Sequence, residues 1–220
     1  MRTALNRTKS TLIHDLKSFL QHAGLTDTKS TVYQGTLFEW QTHEVLEKSL
    51  GMRLRRVGGK SDGGIDLRGT WPLLRNLSSL QKRKPNDLSP APVIAPLTSI
   101  VVQCKNTKAG CTPDHVRSLV GSAGALYPDS NSSKIAILAT SSNKRYTADT
   151  ISYFMDSNMP LALARICNVQ LESLLFNPVA EETILNGLTV TTQYDIQNHS
   201  TPILMYNGHI IDPSEILVDS

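Results

Sequence analysis

Apolar and polar positions along the chain follow patterns that predict a series of helices and strands. Between residues 36 and 50 the apolar residues recur with helical spacing. Thr36 and Glu39 match a capping box at the start of this segment, and Gly51 follows its end. A shorter amphipathic helix is indicated between residues 12 and 20. The first part of the chain is therefore predicted to be helical.

Short apolar or alternating runs predict strands, with helical segments between the later ones. The predicted strands lie at 52–57, from Ile65 onward, and at 100–105, 135–140 and 161–166. The predicted helices lie at 114–127 and 147–157, and a further helix is expected to start within 169–175. An order of helix, three strands, helix, strand, helix and strand describes an α/β fold with a mixed central sheet flanked by helices.

Changes in composition divide the chain into three parts. Residues 1–30 form an N-terminal segment, residues 31–175 hold the α/β domain, and residues 176–220 form an acidic extension with β-structure. In the extension, the Asn-Gly pair at 207–208 lies between apolar residues and predicts a β-hairpin. Five prolines and a basic run within 71–98 predict an irregular insertion that does not belong to the core.

Charge is distributed unevenly along the chain. The 220 residues carry 22 basic and 19 acidic side chains, a net charge of +3. Residues 1–145 hold 21 of the basic and 10 of the acidic residues, a net charge of +11, whereas residues 146–220 hold one base and nine acids. The basic part indicates a polyanionic partner, and nucleic acid is the first candidate. Docking of the two oppositely charged parts on each other is the alternative.

Composition also excludes several classes of protein. Hydrophobic residues make up 40% of the chain and charged residues 19%, which excludes a wholly disordered or coiled-coil protein. No apolar run reaches the length of about 18 residues that a membrane span needs. The three cysteines form neither a CxxC pair nor an even set, which indicates a reducing compartment. The basic, Ser/Thr-containing first 14 residues are compatible with a mitochondrial transit peptide as well as with a helix.

Four polar residues on predicted neighbouring elements are the main candidates for chemistry. Side chains alternate along a strand, so Asp66 leaves one face of its strand while Gln103 and Lys105 share a face of theirs. If these strands pair, the three groups converge, and Glu39 adds a second carboxylate from the helix. Carboxylates and a neutral oxygen suit Mg²⁺ or Mn²⁺ rather than zinc, and a lysine beside the metal stabilises charge on a phosphate. The pattern predicts a hydrolytic site for phosphodiesters.

Each of these residues alone also fits an ordinary structural role. Glu39 fits the capping box, Asp66 fits a turn rich in Asp and Gly, and Lys105 fits a solvated strand end. Gln103 fits a side chain that satisfies a backbone group. The metal site is favoured because it explains all four positions at once. Cys104 points to the opposite face from Gln103 and is predicted to belong to the core.

Several motifs resemble those of the Mrr-like restriction endonucleases, which belong to the PD-(D/E)xK nuclease superfamily. They are the FE pair in the helix, SDGGIDL, VVQCK, and a downstream strand ending in ATSS, and together they cover residues 33–166. The resemblance implies a restriction-endonuclease-like core in which Asp66, Glu39 and Gln103 hold Mg²⁺ (or Mn²⁺) and Lys105 completes the catalytic set. As in Mrr-like members, Gln103 replaces the acid of the superfamily name.

The same resemblance implies a metal-dependent DNA endonuclease or DNA-processing factor acting on double-stranded DNA. A narrower likeness to a fungal mitochondrial protein implies mitochondrial genome maintenance and respiratory growth as the setting. A catalytically silent nucleic-acid-binding or scaffold protein, an RNA-directed nuclease, and a homodimer stay open as alternatives. Phosphate contacts, with a solvated surface as the alternative, are expected from Arg53, Arg55, Arg56, Lys60, Lys82, Arg83 and Lys84.

Overall fold

The computed structural model describes residues 13–22, 27–57, 63–81, 97–126, 133–196 and 200–213. Its α-helices are α1 (Leu16–His22), α2 (Thr31–Leu50), α3 (Pro72–Gln81), α4 (Pro113–Leu126) and α5 (Ala148–Met155). Its strands are β1 (Arg53–Arg56), β2 (Leu67–Trp71), β3 (Thr98–Lys105), β4 (Lys134–Thr140), β5 (Leu161–Cys167), β6 (Gln170–Phe176), β7 (Leu188–Tyr194), β8 (Ser200–Tyr206) and β9 (His209–Ile211). A helical turn at Pro178–Ala180 continues into a π-helical turn at Glu181–Leu185.

Six strands form one mixed sheet in the order β1-β2-β3-β4-β5-β6. Strand β2 pairs antiparallel with both β1 and β3. Strands β3, β4 and β5 run parallel to one another, and β6 pairs antiparallel with β5. Parallel neighbours need crossover connections, which α4 and α5 supply. The predicted pairing of β2 with β3 is present, with Leu67 opposite Val102. The predicted α/β fold with a mixed sheet flanked by helices is confirmed, and its restriction-endonuclease-like identity stays a prediction.

The sheet buries apolar side chains on both of its faces. On the α2 face, Leu46 and Leu50 belong to the same cluster as Val102. On the opposite face, Leu119 of α4 belongs to a cluster with Val101. The side chains of consecutive residues of β3 therefore pack on opposite faces of the sheet, as strand alternation requires. Helices on both faces also explain why β4 is buried along nearly its whole length.

Helix α2 begins five residues before the start that the apolar pattern predicted. Ser30 is its N-cap, and the Ser30 hydroxyl oxygen accepts a hydrogen bond from the Tyr33 N–H at 3.2 Å. Thr36 and Glu39 both lie inside the helix, so the predicted capping box is wrong. Gly51 ends the helix with a φ of 66°, as predicted.

The segment after β2 begins as a helix, which corrects the prediction of an irregular insertion there. Pro72 opens α3 at a position where a helix needs no N–H donor. Leu73, Leu74 and Leu77 are buried in the core on the α2 face. Their spacing is that of an amphipathic helix, which the surrounding prolines concealed. The rest of the predicted insertion, residues 82–96, lies outside the described residues.

The segment 169–175, predicted to start a helix, belongs instead to β6 and the turn before it. Asn168 and Val169 form a two-residue turn between β5 and β6. Their φ angles are 49° and 58°, and positive values at both central residues match the twist of a tight hairpin. A short apolar run fits either a helix or a strand, and here pairing with β5 decides the outcome.

The last described residues form a second sheet in the order β7-β8-β9. The predicted hairpin is confirmed, since Asn207 and Gly208 connect β8 to β9 with φ angles of 49° and 83°. Leu188 and Leu204 are buried in the core on the α2 face, so the second sheet packs on the first. The Tyr206 hydroxyl also donates a hydrogen bond to a backbone carbonyl of α3 at 3.3 Å. None of the helices in the described ranges is both long and apolar enough to cross a membrane.

Candidate functional site

Asp66 stands immediately before β2 and is tied to the end of β3. Its N–H donates to the Val102 carbonyl at 2.9 Å, and its own carbonyl accepts from the Val57 N–H at 2.8 Å. Its carboxylate oxygen Oδ2 accepts a hydrogen bond from the Cys104 N–H at 2.6 Å. A bond to a charged acceptor is stronger than one between neutral groups, so the Asp66 carboxylate is held firmly in place.

Strand alternation does not extend back from β2 to Ile65, contrary to the prediction. Ile65 packs on the α4 face, whereas Leu67 packs on the α2 face. Two residues apart in a regular strand, they would share one face. The backbone turns just before them, at Gly63 and Gly64, with φ angles of 64° and 80°. This turn sets the direction in which Asp66 leaves the chain.

Gln103 is 1% exposed and its side chain lies on the α4 face. Its Nε2 donates to the Gly64 carbonyl at 2.8 Å and to Ser118 Oγ at 3.4 Å. Its carbonyl oxygen Oε1 is buried and accepts no hydrogen bond from the described part of the chain. Buried acceptors are nearly always satisfied, and an ordered water is the usual partner of such an oxygen. Gln103 thus holds the turn at Gly64, and the backbone of its neighbour Cys104 holds the Asp66 carboxylate.

Glu39 forms an ion pair with Arg56 of β1, and both side chains are partly buried. The Arg56 guanidinium also lies 6.0 Å from the ring centre of Trp40. The residue predicted as a metal ligand and the residue predicted as a phosphate contact therefore neutralise each other. Both predicted roles stay predictions, and each would require the pair to open.

The charges of three of the four candidate residues act on the Cys104 thiol. Burial is the main reason why the pKa of Cys104 lies well above its ordinary value, and the Asp66 carboxylate raises that pKa further. Glu39 also raises it, while the charge of Lys105 lowers it. Cys104 packs against the core, as predicted. The charges of Glu39, Asp66 and Lys105 thus all act on Cys104, while the side chain of Gln103 lies on the α4 face, opposite the Cys104 thiol.

Lys105 ends β3, and its ammonium group has no partner in the described part of the chain. Its side chain is partly buried and makes no hydrogen bond or ion pair with the described residues. Burial and then the positive charge of Lys105 lower the pKa of His115 on α4. A partly buried cation without an internal partner favours binding of an anion from outside the chain.

Two adjoining cavities open at the carboxyl ends of the parallel strands, and together we call them the carboxyl-end groove. The first has a volume of about 730 Å³ and lies between α2 and the residues that follow β3, β4 and β5. The second has a volume of about 610 Å³ and lies between the first turns of α2 and the end of β3. Crevices at the carboxyl ends of strands are the usual binding place in open α/β sheets. The wall that both cavities share consists of Gln34, Asn106, Thr107 and Lys108.

The two cavities differ in their chemistry. The second is lined by Lys29, Lys105 and Lys108 and has no acidic residue in its lining. The first has one lysine, Lys108, and one acid, Glu172. Cations therefore concentrate in the second cavity. The first is lined mainly by amide and hydroxyl groups, among them Gln41, Asn106, Ser141, Ser142, Asn143 and Asn168.

Asn106 braces the wall between the two cavities. Its Nδ2 donates to the Gln34 carbonyl at 3.0 Å, and Ser141 Oγ donates to its Oδ1 at 2.7 Å. One side chain thereby links the start of α2 to the ends of β3 and β4. Sequence reasoning missed this groove, although the polar triplets NTK and SSN directly after two apolar strands signalled it.

The lysines of the groove are not the basic residues that the sequence predicted as phosphate contacts. Arg53 and Arg55 are exposed on β1, the edge strand of the sheet, and Arg56 pairs with Glu39. The remaining four lie outside the described residues: Lys60, Lys82, Arg83 and Lys84.

Of the predicted ligands, the Asp66 carboxylate fits a hard divalent cation that takes most of its ligands from outside the chain. The carbonyl oxygen of Gln103, which has no partner among the described residues, is buried on the α4 face. Within the described ranges, no three His, Cys, Asp or Glu side chains lie close enough together to hold a metal ion. Mg²⁺ commonly uses only one or two carboxylates and completes its shell with water and substrate phosphates. The donor set therefore suits Mg²⁺ or Mn²⁺ better than a metal that needs a full protein cage.

The fold and the groove define an α/β protein with a mixed six-stranded sheet and a cationic binding crevice at the carboxyl ends of its parallel strands. A family model described as required for respiratory growth protein 7 matches residues 30–206. The chain belongs to this family.

Individual relatives agree with the family assignment. A protein of Schizosaccharomyces pombe, named only as uncharacterized and mitochondrial, is 34% identical over 162 residues, 73% of this chain and 56% of its own length. Required for respiratory growth protein 7 of Saccharomyces cerevisiae is 31% identical over 160 residues, 62% of this chain and 66% of its own length. The protein of the same name in Lachancea thermotolerans is 30% identical over 178 residues, 70% of this chain and 69% of its own length.

These relatives are named as mitochondrial proteins, and this chain is accordingly mitochondrial. The chain spans between about half and two thirds of the length of the first two relatives, 56% and 66%. No solved structure matches the chain significantly.

Proposed function

We propose that this chain binds DNA in the carboxyl-end groove and hydrolyses its phosphodiester bonds with the help of a divalent metal ion. The observation that carries the proposal is the position of Lys105. Its ammonium has no partner among the described residues, it ends the strand whose Cys104 N–H bonds the Asp66 carboxylate, and it lines the more cationic cavity. A carboxylate and a free lysine beside an anion-binding crevice are the groups that phosphodiester hydrolysis requires.

In the proposed reaction the residues of the chain have separate roles. Asp66 would hold Mg²⁺ or Mn²⁺, which would supply charge neutralisation and a bound water of lowered pKa, and Gln103 would fix the turn that positions Asp66. Lys105 would place its ammonium against phosphate oxygens on which negative charge grows. Lys29 and Lys108, which line the same cavity, would hold neighbouring phosphates. Glu39 acts here through its pair with Arg56, which fastens α2 to β1.

The family supports a mitochondrial setting for the proposed activity. Relatives are named for a requirement in respiratory growth, and we propose that the underlying step is maintenance or processing of mitochondrial DNA. The net charge of +11 over residues 1–145 supports a polyanionic partner. Binding should then weaken steeply as salt rises, because released counterions drive association.

A second candidate function is nucleic-acid binding without catalysis. The ion pair between Glu39 and Arg56 favours it, because that pair occupies a carboxylate that the family resemblance assigned to the metal. In that case the groove would bind DNA through its lysines without cutting the phosphodiester backbone of the DNA.

Nicking of supercoiled plasmid, with and without Mg²⁺, separates these functions. We predict Mg²⁺-dependent nicking that Lys105→Ala lowers by about 10²–10³-fold, the usual loss for one contact that stabilises transition-state charge. Lys48→Ala is the matched control, since Lys48 is exposed and pairs with Glu44 at the other end of α2. Full activity of Lys105→Ala would refute the catalytic assignment. Salt-sensitive binding without any nicking would leave the second candidate.

A further inference from the structure

The first cavity of the groove is the strongest feature to which the proposed function gives no separate role. Its volume of about 730 Å³ lies within the range of about 300–1,000 Å³ typical of small-molecule sites. It continues from the lysine-lined cavity across the shared wall at Asn106 and Lys108. Whatever occupies it therefore lies next to the phosphates that the lysines would hold.

Several amides that line this cavity have no side-chain partners among the residues that the structure describes. Gln41, Asn143 and Asn168 make no side-chain hydrogen bond with the described part of the chain. A carboxamide carries a donor and an acceptor side by side, and this pair matches the edge of a nucleobase. Glu172 adds an acceptor suited to an exocyclic amino group.

The floor of the cavity is apolar and its wall is already braced. Phe38 and Ile166 lie at the floor and are buried, while Leu37 beside them is partly exposed. Flat aromatic ligands gain from such surfaces by dispersion and exclusion of water. The hydrogen bonds of Asn106 hold the wall in place before any ligand arrives. Less ordering is then needed on binding.

The division of charge between the cavities matches the two parts of a nucleotide. Lys29, Lys105 and Lys108 line the second cavity, where phosphates would lie. The first cavity balances one lysine with one acid and offers neutral amides, which suit an uncharged base. A base inside a duplex is covered by its partner and its stacked neighbours, so it enters such a cavity only when it is unpaired.

We propose that the first cavity takes the unpaired base of a nucleic-acid strand whose phosphates follow the lysines of the second cavity. The inference rests on the proposed function and specifies its substrate class. The substrate would be single-stranded DNA, or duplex DNA with an unpaired nucleotide, in preference to an intact duplex.

Fluorescence anisotropy with three probes tests the proposal in the absence of divalent metal, so that no strand is cut. The probes are a short labelled single strand, the same strand carrying abasic sites throughout, and the corresponding blunt duplex. We expect the single strand to bind about tenfold more tightly than the abasic strand, the contribution typical of one well-held base. The duplex should bind no more tightly than the abasic strand.

Two variants locate the effect in the first cavity. Gln41→Leu and Asn143→Ala should each remove most of the preference for the base-containing strand and leave binding of the abasic strand unchanged. Asn143 is exposed in a loop, so its substitution does not threaten folding. Gln193→Leu on β7, also exposed, is the matched control for Gln41→Leu. The control should bind all three probes like the parent protein.

The failure of this inference is distinguishable from failure of the proposed function. Equal, salt-sensitive binding of the base-containing and abasic strands would overturn the base pocket and leave the phosphate groove standing. An unchanged preference in both cavity variants would likewise overturn it. Absence of binding to all three probes would overturn the proposed function and the pocket together.

Discussion

Gly64→Ala should destabilise the protein far more than the same change at the neighbouring Gly63. Gly64 has a φ of 80°, and a Cβ built there lies 2.8 Å from Nε2 of Gln103. The left-handed backbone alone costs a residue with a Cβ about 1–2 kcal/mol. Because Gln103 is 1% exposed, its amide has little room to retreat. It would lose its bond to the Gly64 carbonyl, which adds about 1–3 kcal/mol for a buried group left unsatisfied.

The total expected loss for Gly64→Ala is therefore about 2–5 kcal/mol in the free energy of unfolding. Gly63 has a similar φ of 64°, but a Cβ there meets nothing within 4 Å. Gly63→Ala should then cost only the backbone term of about 1–2 kcal/mol. Urea unfolding followed by circular dichroism measures both variants, with an unchanged m-value as the sign that the two can be compared. Equal losses in the two variants would refute the claim that Gln103 is clamped against Gly64.

Other parts of the structure give further expectations. Asn177→Ala should lower the free energy of unfolding in urea by about 3–5 kcal/mol. This buried amide accepts hydrogen bonds from two backbone N–H groups, and its Nδ2 faces three backbone carbonyls. A loss below about 1 kcal/mol would contradict that network. Burial raises the pKa of Cys111 to about 11 from an ordinary value of 9.0, so the thiol stays protonated longer in the folded state. The contribution of this thiol to the free energy of unfolding is then complete below pH 9 and is lost as pH rises to 11. Cys111→Ala should flatten the plot of unfolding free energy against pH between 9 and 11. An unchanged slope there would exclude this thiol as its source. Val169→Gly should raise the melting temperature, since a β-branched residue at φ 58° is strained, and a fall would show that the valine side chain stabilises the turn.

Local signals predicted several parts of this fold correctly. The Asn207-Gly208 hairpin follows from two adjacent residues, and the pairing of β2 with β3 follows from two strands close in sequence. Two elements, α3 and β6, were predicted wrongly because the local sequence favoured a different structure. Prolines concealed α3, and the apolar run of β6 fits a helix until it is paired with β5.

The candidate site was predictable only in part, for reasons of geometry. Alternation correctly placed Gln103 and Cys104 on opposite faces, but it does not apply to the turn that precedes Asp66. The partner of Glu39 is Arg56, 17 residues away, and no sequence pattern selects it over a metal. The carboxyl-end groove joins residues that follow three different strands, and only the parallel sheet brings those strand ends together.

The packing of the second sheet on the first affects how inherited changes in this family should be interpreted. Leu188 and Leu204 complete the same apolar cluster that contains the α2 residues Leu46 and Leu50. A premature stop before β7 would therefore uncover the interior of the α/β domain, and partly unfolded mitochondrial protein is open to degradation. Changes that remove β7–β9 would therefore destabilise the α/β domain, although they leave every groove residue in place.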